Sequence, residues 1–113
     1  MADITIKKDD TRPVIQRYLI QNLDGATSPV NLTTASAVTF IMKTGAANPV
    51  TGVASIVTAA SGCVAYKWAT GDTASSGLYD AEWEVAWADG GYETVPNDGY
   101  FSIEVVADLG GTV

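Results

Sequence analysis

The stretch LYDAEWEVAW (Leu78–Trp87) alternates strictly, with Tyr79, Ala81, Trp83, Val85 and Trp87 separated by Asp80, Glu82, Glu84 and Ala86. A two-residue period would scatter rings and carboxylates around every side of a helix. Only an extended strand sorts them into one aromatic face and one acidic face. This is the pattern of a half-solvated antiparallel strand. Its aromatic face must be buried against other elements, so the rest of the chain has to supply them.

The remaining segments answer in kind. Ile4 and Ile6 alternate with Thr5 and Lys7 in a short first strand, which KKDDTRP then interrupts. Pro13 has no backbone donor and suits a strand start or a sheet edge. VIQRYLIQ (Val14–Gln21) reads as a second strand. Its inward face is open, because Ile15 and Leu19 compete with Val14, Tyr18 and Ile20. Asp24-Gly25 is a hairpin signal, and Val30–Leu32 is a brief return. In SAVTFIMK (Ser36–Lys43), Val38, Phe40 and Met42 share a face.

Val53–Ala59 is a weak strand that Gly62 breaks. Cys63–Trp68 follows, with Val64, Tyr66 and Trp68 on one side. Ala69–Gly77 is a polar connection with room for one helical turn capped by Asp72. Tyr92–Val95 returns after a corner at Asp89-Gly90 or Gly90-Gly91. Pro96-Asn97-Asp98-Gly99 then turns the chain into Phe101–Val106. The tail ADLGGTV reads as a frayed end or a contact arm. Seven to nine short strands, no helical period and turn signals every eight to twelve residues predict an all-β fold, an immunoglobulin-like antiparallel β-sandwich. The 113 residues make one domain with short N- and C-terminal arms.

Several functions are disfavoured by what the chain carries. With 13 acidic residues against 6 basic ones and a net charge of −7, neither nucleic-acid backbone nor an anionic membrane surface is an expected partner. The N-terminus has no apolar signal core, so export by the ordinary secretory route is not expected. With no histidine and one cysteine, Ser-His-Asp, Cys-His and thiolate–zinc chemistry cannot be assembled. Cys63 reads as a half-buried strand thiol.

Asp80, Glu82 and Glu84 form a carboxylate row, which reads as a solvated face rather than a glycosidase pair across a cleft. Asp9, Asp10, Asp72, Asn97 and Asp98 are hard oxygen ligands in no calcium-loop pattern. No cofactor, no metal and no enzymatic activity are expected. Asn31-Leu32-Thr33 matches a glycosylation acceptor and reads as a plain turn. Trp87, Tyr92 and Tyr100 could make a sugar-stacking platform, the basis of a carbohydrate-binding or adhesion alternative.

Beyond periodicity, an ordered set of motifs can be traced from about Ile4 to Val106. Asp10-Thr-Arg-Pro13 follows the first strand, and the Asp24-Gly25 hairpin precedes VNLT (Val30–Thr33). VTFIM (Val38–Met42) comes next, then Tyr66 and Trp68 ahead of Asp72-Thr73. Gly77-Leu78-Tyr79 opens the long strand, and an Asp89-Gly90 turn and TVPNDGY (Thr94–Tyr100) complete the set. In this order they resemble the immunoglobulin-like domain of tailed-phage proteins, the N-terminal domain of the phage baseplate upper protein family.

The resemblance implies a virion part, assembled in the host cytoplasm, that docks and scaffolds without catalysis. Its partners would be other virion proteins, or itself as a homo-oligomer. In that family the domain usually begins a longer chain with a receptor-binding or fibre region, whereas these residues hold one domain; the expectation therefore covers docking at a baseplate, tail, neck or head surface and not host recognition. The candidate contacts are Ile4, Lys7 and Lys8 in the N-terminal segment, Pro13 at an edge, Trp87 and Tyr92 at strand ends, and Asn97 and Asp98 in the turn, whose first role is structural.

Overall fold

The computed structural model describes residues 2–107 and 109. The described residues form ten strands: β1 (Ile4–Lys7), β2 (Ile15–Tyr18), β3 (Ile20–Leu23), β4 (Ala26–Pro29), β5 (Ala35–Lys43), β6 (Val50–Thr58), β7 (Cys63–Tyr66), β8 (Gly77–Trp87), β9 (Tyr92–Val95) and β10 (Phe101–Val106). Eight of them form one curled sheet. Its path is β1-β10-β8-β5-β6-β7-β2, with β9 also paired to β8; β3 and β4 form a separate two-stranded sheet. The fold is all-β, and its main sheet is a half-barrel.

Two expectations need correction. Among the described residues the strands number ten rather than seven to nine, and the sheet is mixed rather than antiparallel, because β1 lies parallel to β10, Ile4 facing Ile103 and Ile6 facing Val105. One extra strand comes from Val14–Gln21, expected as one element, and the return expected at Val30–Leu32 lies at Ala26–Pro29 instead. Leu19 is buried at a break, so Ile15–Tyr18 pairs with β7 while Ile20–Leu23 turns away into a hairpin with β4. The ambiguous inward face resolves to Ile15 and Leu19; Val14, Tyr18 and Ile20 stay 45%, 62% and 44% exposed.

The short first strand expected at Ile4–Lys7 is β1, at the edge of the sheet, and the residue before it is clasped to β10. The Asp3 amide donates to the Ser102 carbonyl at 3.0 Å, and the Asp3 carboxylate accepts from the Ser102 amide at 2.8 Å. That amide bond holds the exposed Asp3 carboxyl below its usual range. Of the expected C-terminal arm, Asp108 and residues 110–113 lie outside the described residues.

The core follows the alternation read in the sequence. Tyr79, Ala81, Trp83 and Val85 of β8 face Val38, Phe40 and Met42 of β5 and Phe101, Ile103 and Val105 of β10, all buried. Phe40 is its hub. Tyr66 stacks on it at 4.5 Å between centroids, while Trp83 and Trp68 meet it edge-on at 5.2 and 5.7 Å. Edge-to-face and offset-stacked rings place positive edges against negative faces, a gain beyond their area alone.

Two of the polar tips inside find partners. Trp68 Nε1 donates to the Pro13 carbonyl at 3.1 Å, and the Tyr66 hydroxyl donates to Asp72 Oδ2 at 2.5 Å. Asp72 caps no helical turn; its carboxylate bonds back to the Ala69 amide at 2.8 Å and closes a loop. Cys63 is fully buried rather than half-buried, at 1% exposure. The Leu19 and Val30 backbones pass directly over the neighbouring Gly62, whose φ of 75° and lack of Cβ let them approach.

Candidate docking surfaces

Pro96-Asn97-Asp98-Gly99 is an excursion within one hairpin arm. β9 and β10 run along the same edge of β8 in the same direction. Val95 faces Trp83 and Phe101 faces Ala81, where an uninterrupted strand would have placed residue 97. The surplus residues loop out. Asn97 organises the loop: its Nδ2 donates to the Thr94 carbonyl at 3.1 Å and to Glu93 Oε2 at 3.2 Å. Its Oδ1 accepts the Asn22 amide of β3 at 2.8 Å. The turn residue thus bonds its own local backbone and also ties a distant hairpin to the sheet. Asp98 beside it is exposed.

The other candidates sit in separate places. Ile4 is half-buried on β1, and Pro13 is exposed just before β2. These two come together across a groove of about 180 Å³ between the terminal strands of the curled sheet, with Ile6, Ile15, Arg17 and Trp68 among its walls. Lys7 is exposed at the end of β1, and the Lys8 ammonium lies 3.7 Å from Asp9 Oδ2. Trp87 is half-buried against the core. Tyr92, 71% exposed, stands opposite Ala86 and so on the other face of the sheet from Trp87.

Tyr100, the third aromatic of the sugar-stacking idea, lines a groove with Lys43, Asp80 and Glu82. It lies several residues along β8 from Tyr92. The three rings therefore share no platform. Asp80, Glu82 and Glu84 stand in a row on the outer face of β8, opposite Lys43, Ile41 and Thr39 of β5. Asn31 Oδ1 accepts the Thr33 amide at 3.0 Å, the plain turn expected of that triplet. Among the described residues no three His, Cys, Asp or Glu side chains gather to hold a metal ion, and no helix is long and apolar enough to cross a membrane.

Sequence reasoning missed the surface around Arg17. Its guanidinium carbon lies 4.9 Å from the Phe101 ring centroid. A cavity of about 210 Å³ beside it is lined by Tyr18, Leu19, Ile20, Trp83, Val95 and Pro96. The signal was the ambiguity itself. A segment with apolar residues on both faces, such as VIQRYLIQ, leaves some of them exposed wherever only one face is covered. The amide-accepting role of Asn97 had no local signal, since Asn22 is distant in sequence. No family model, no curated protein and no solved structure matches this chain.

Proposed function

We propose that this chain is a non-catalytic structural component of a tailed-phage virion, an immunoglobulin-like β-sandwich module that docks on a larger assembly at the baseplate, tail, neck or head surface. The observation that carries this reading is a curled sheet whose terminal strands, β1 and β2, each pair on one side only among the described residues. Unpaired edges offer backbone donors and acceptors to an added strand, and the apolar groove between them offers side-chain pockets.

The ordered motifs from Asp10-Thr-Arg-Pro13 to TVPNDGY, which resemble the phage domain, supply the biological setting. The sandwich reading is supported by the way β7 and β2 fold back over β5 and β10. Tyr66 stacks on Phe40 and the Arg17 guanidinium lies over Phe101, so two layers of the curled sheet face each other. Partners are other virion proteins or further copies of the chain, and repeated copies make weak contacts count through multivalency.

The test is mass spectrometry of phage particles purified from the source culture, paired with light scattering of the isolated chain at low and high concentration. Detection in the particle at a fixed ratio to the other virion proteins supports the reading. Abundance in the lysate together with absence from washed particles overturns it. A stable trimer or hexamer in solution places a symmetric interface on the chain itself, and a monomer makes docking depend on a partner surface.

A further inference from the structure

We propose that the β3–β4 hairpin is a flap that opens independently of the sheet and is held shut by the Asn97 side chain. Its root is fixed. Leu19 and Val30 are buried, the Leu19 amide donates to the Gly62 carbonyl at 2.8 Å, and the Val30 amide donates to the Leu19 carbonyl at 2.9 Å. Beyond that root every residue from Ile20 to Pro29 is exposed except the half-buried Gln21. Among the described residues the two strands pair with nothing but each other. An isolated two-stranded hairpin is marginally stable in water, so something besides its own ladder keeps it in place.

The hydrogen-bond phase shows what that is. Asp24 and Gly25, at φ 52° and 84°, make a two-residue turn. Leu23 and Ala26 therefore exchange ladder bonds, as do Gln21 and Ser28, in step with the Leu19–Val30 pair at the root. Pro29 falls at an intervening position, opposite Ile20, where no donor is needed. Asn22 falls at another, so its amide points away from β4. The Asn97 carboxamide meets that amide at 2.8 Å and acts as a one-residue extension of the ladder. The bonds to Thr94 and Glu93 aim it there.

Packing does little of the holding. Of the residues beyond the root, Ile20 alone lines the cavity of about 210 Å³ beneath the hairpin, across from Trp83, Val95 and Pro96; Arg17 and Tyr18 of β2 and Phe101 of β10 complete its walls. Walls that face a gap forfeit dispersion contacts with each other. The flap's opening equilibrium is thus set by one side-chain-to-backbone hydrogen bond, while the core beneath stays folded.

Native-state amide hydrogen exchange along a low-urea series tests this on the unaltered chain. The Gln21, Leu23, Ala26 and Ser28 amides are expected to exchange with little urea dependence, faster than the core amides of β5 and β8. Asn97→Ala should speed those four about fivefold and leave β5 and β8 unchanged, the effect of losing one net hydrogen bond. Asn97→Asp keeps the acceptor oxygen and should fall closer to the unaltered chain. Hairpin amides that share the rates and urea dependence of β5 and β8 would show that the flap opens only with global unfolding, and the proposal falls. It falls equally if Asn97→Ala folds and leaves the hairpin rates where they were.

Discussion

Gly52 is where one added methyl group should cost the most for its size. It lies in β6 with Tyr66 against it: a Cβ at Gly52 would fall 2.5 Å from Tyr66 Cε1 and 2.6 Å from its hydroxyl oxygen. The ring cannot swing aside freely. It is stacked on Phe40 at 4.5 Å, edge-on to Trp68 at 5.6 Å, and tethered by its hydroxyl to Asp72. Gly52→Ala must therefore displace a ring fixed on three sides, and overpacking of a filled core costs about 1–3 kcal/mol. Losing glycine in a strand returns roughly 0.5–1 kcal/mol, and a ring held on three sides puts the cost in the upper half of its range, so the net is a destabilisation of about 1–2 kcal/mol. For a chain this size that lowers Tm by about 5–15 °C. Thermal melting by circular dichroism measures it. The same substitution in a Tyr66→Leu background isolates the clash, because the offending ring atoms are gone and the added methyl should be neutral or stabilising. Gly52→Ala melting at the wild-type temperature would refute the reasoning, as would an undiminished cost in the Tyr66→Leu background.

Four further outcomes are expected. Gly62→Ala should destabilise by about 1–3 kcal/mol in urea titration, since φ there is 75° and the new Cβ would lie 2.6 Å from the Val30 carbonyl oxygen; an unchanged midpoint would contradict it. Asp72→Ala should cost about 1.5–3 kcal/mol by removing the carboxylate that accepts from both the Tyr66 hydroxyl and the Ala69 amide, measured in the same titration. Burial first, and then the Asp72 bond and charge, raise the Tyr66 hydroxyl well above its ordinary pKa near 10. The stability this contributes is complete below that ordinary value and is lost as pH climbs from it toward the raised one. Wild-type Tm should therefore fall more steeply from about pH 9 to about pH 11 than that of Tyr66→Phe. Asp3 has the opposite sign: its carboxyl is held low, so its contribution is present above the ordinary aspartate value and disappears as pH falls through the folded one. β1 amides should lose exchange protection in that acidic window before β5 and β8 do, and Asn at position 3 should flatten the trend.

The sequence made the core legible because its periods are clean. Tyr79, Ala81, Trp83 and Val85, Val38, Phe40 and Met42, and Phe101, Ile103 and Val105 all alternate, and all are buried as alternation requires. The Asp24-Gly25 turn was legible from turn chemistry alone, although its returning strand is Ala26–Pro29, four polar or small residues with no alternation to mark them, rather than Val30–Leu32. What could not be read was how strands pair. Alternation marked Ile4–Lys7 as a strand, but nothing local in it names β10 as its partner or makes the pairing parallel, because the Asp3–Ser102 clasp joins distant parts of the chain. The break at Leu19 was hidden for a similar reason. A buried residue between two exposed ones looks like alternation until the chain is seen to change partners there. Among the candidate contacts, position along the strands separated Trp87 from Tyr92 by one sheet thickness, a consequence of register that composition does not carry.

The exposed edges of this sheet are also built to limit what can join them. β1 and β2 are four residues each, and β2 is preceded by Pro13, which has no donor to give an incoming strand. Lys7 ends β1 exposed, and Arg17 lies within β2. Short length, a proline and charge on the strand are the devices by which natural sheets discourage indiscriminate edge pairing. An edge so blunted can still accept a strand, but only a short one that matches the groove lined by Ile4, Ile6, Ile15 and Trp68 and finds a place beside Arg17. Docking by this route would be selective rather than strong in any single copy, which is the regime in which a repeated assembly, rather than one tight interface, supplies the affinity.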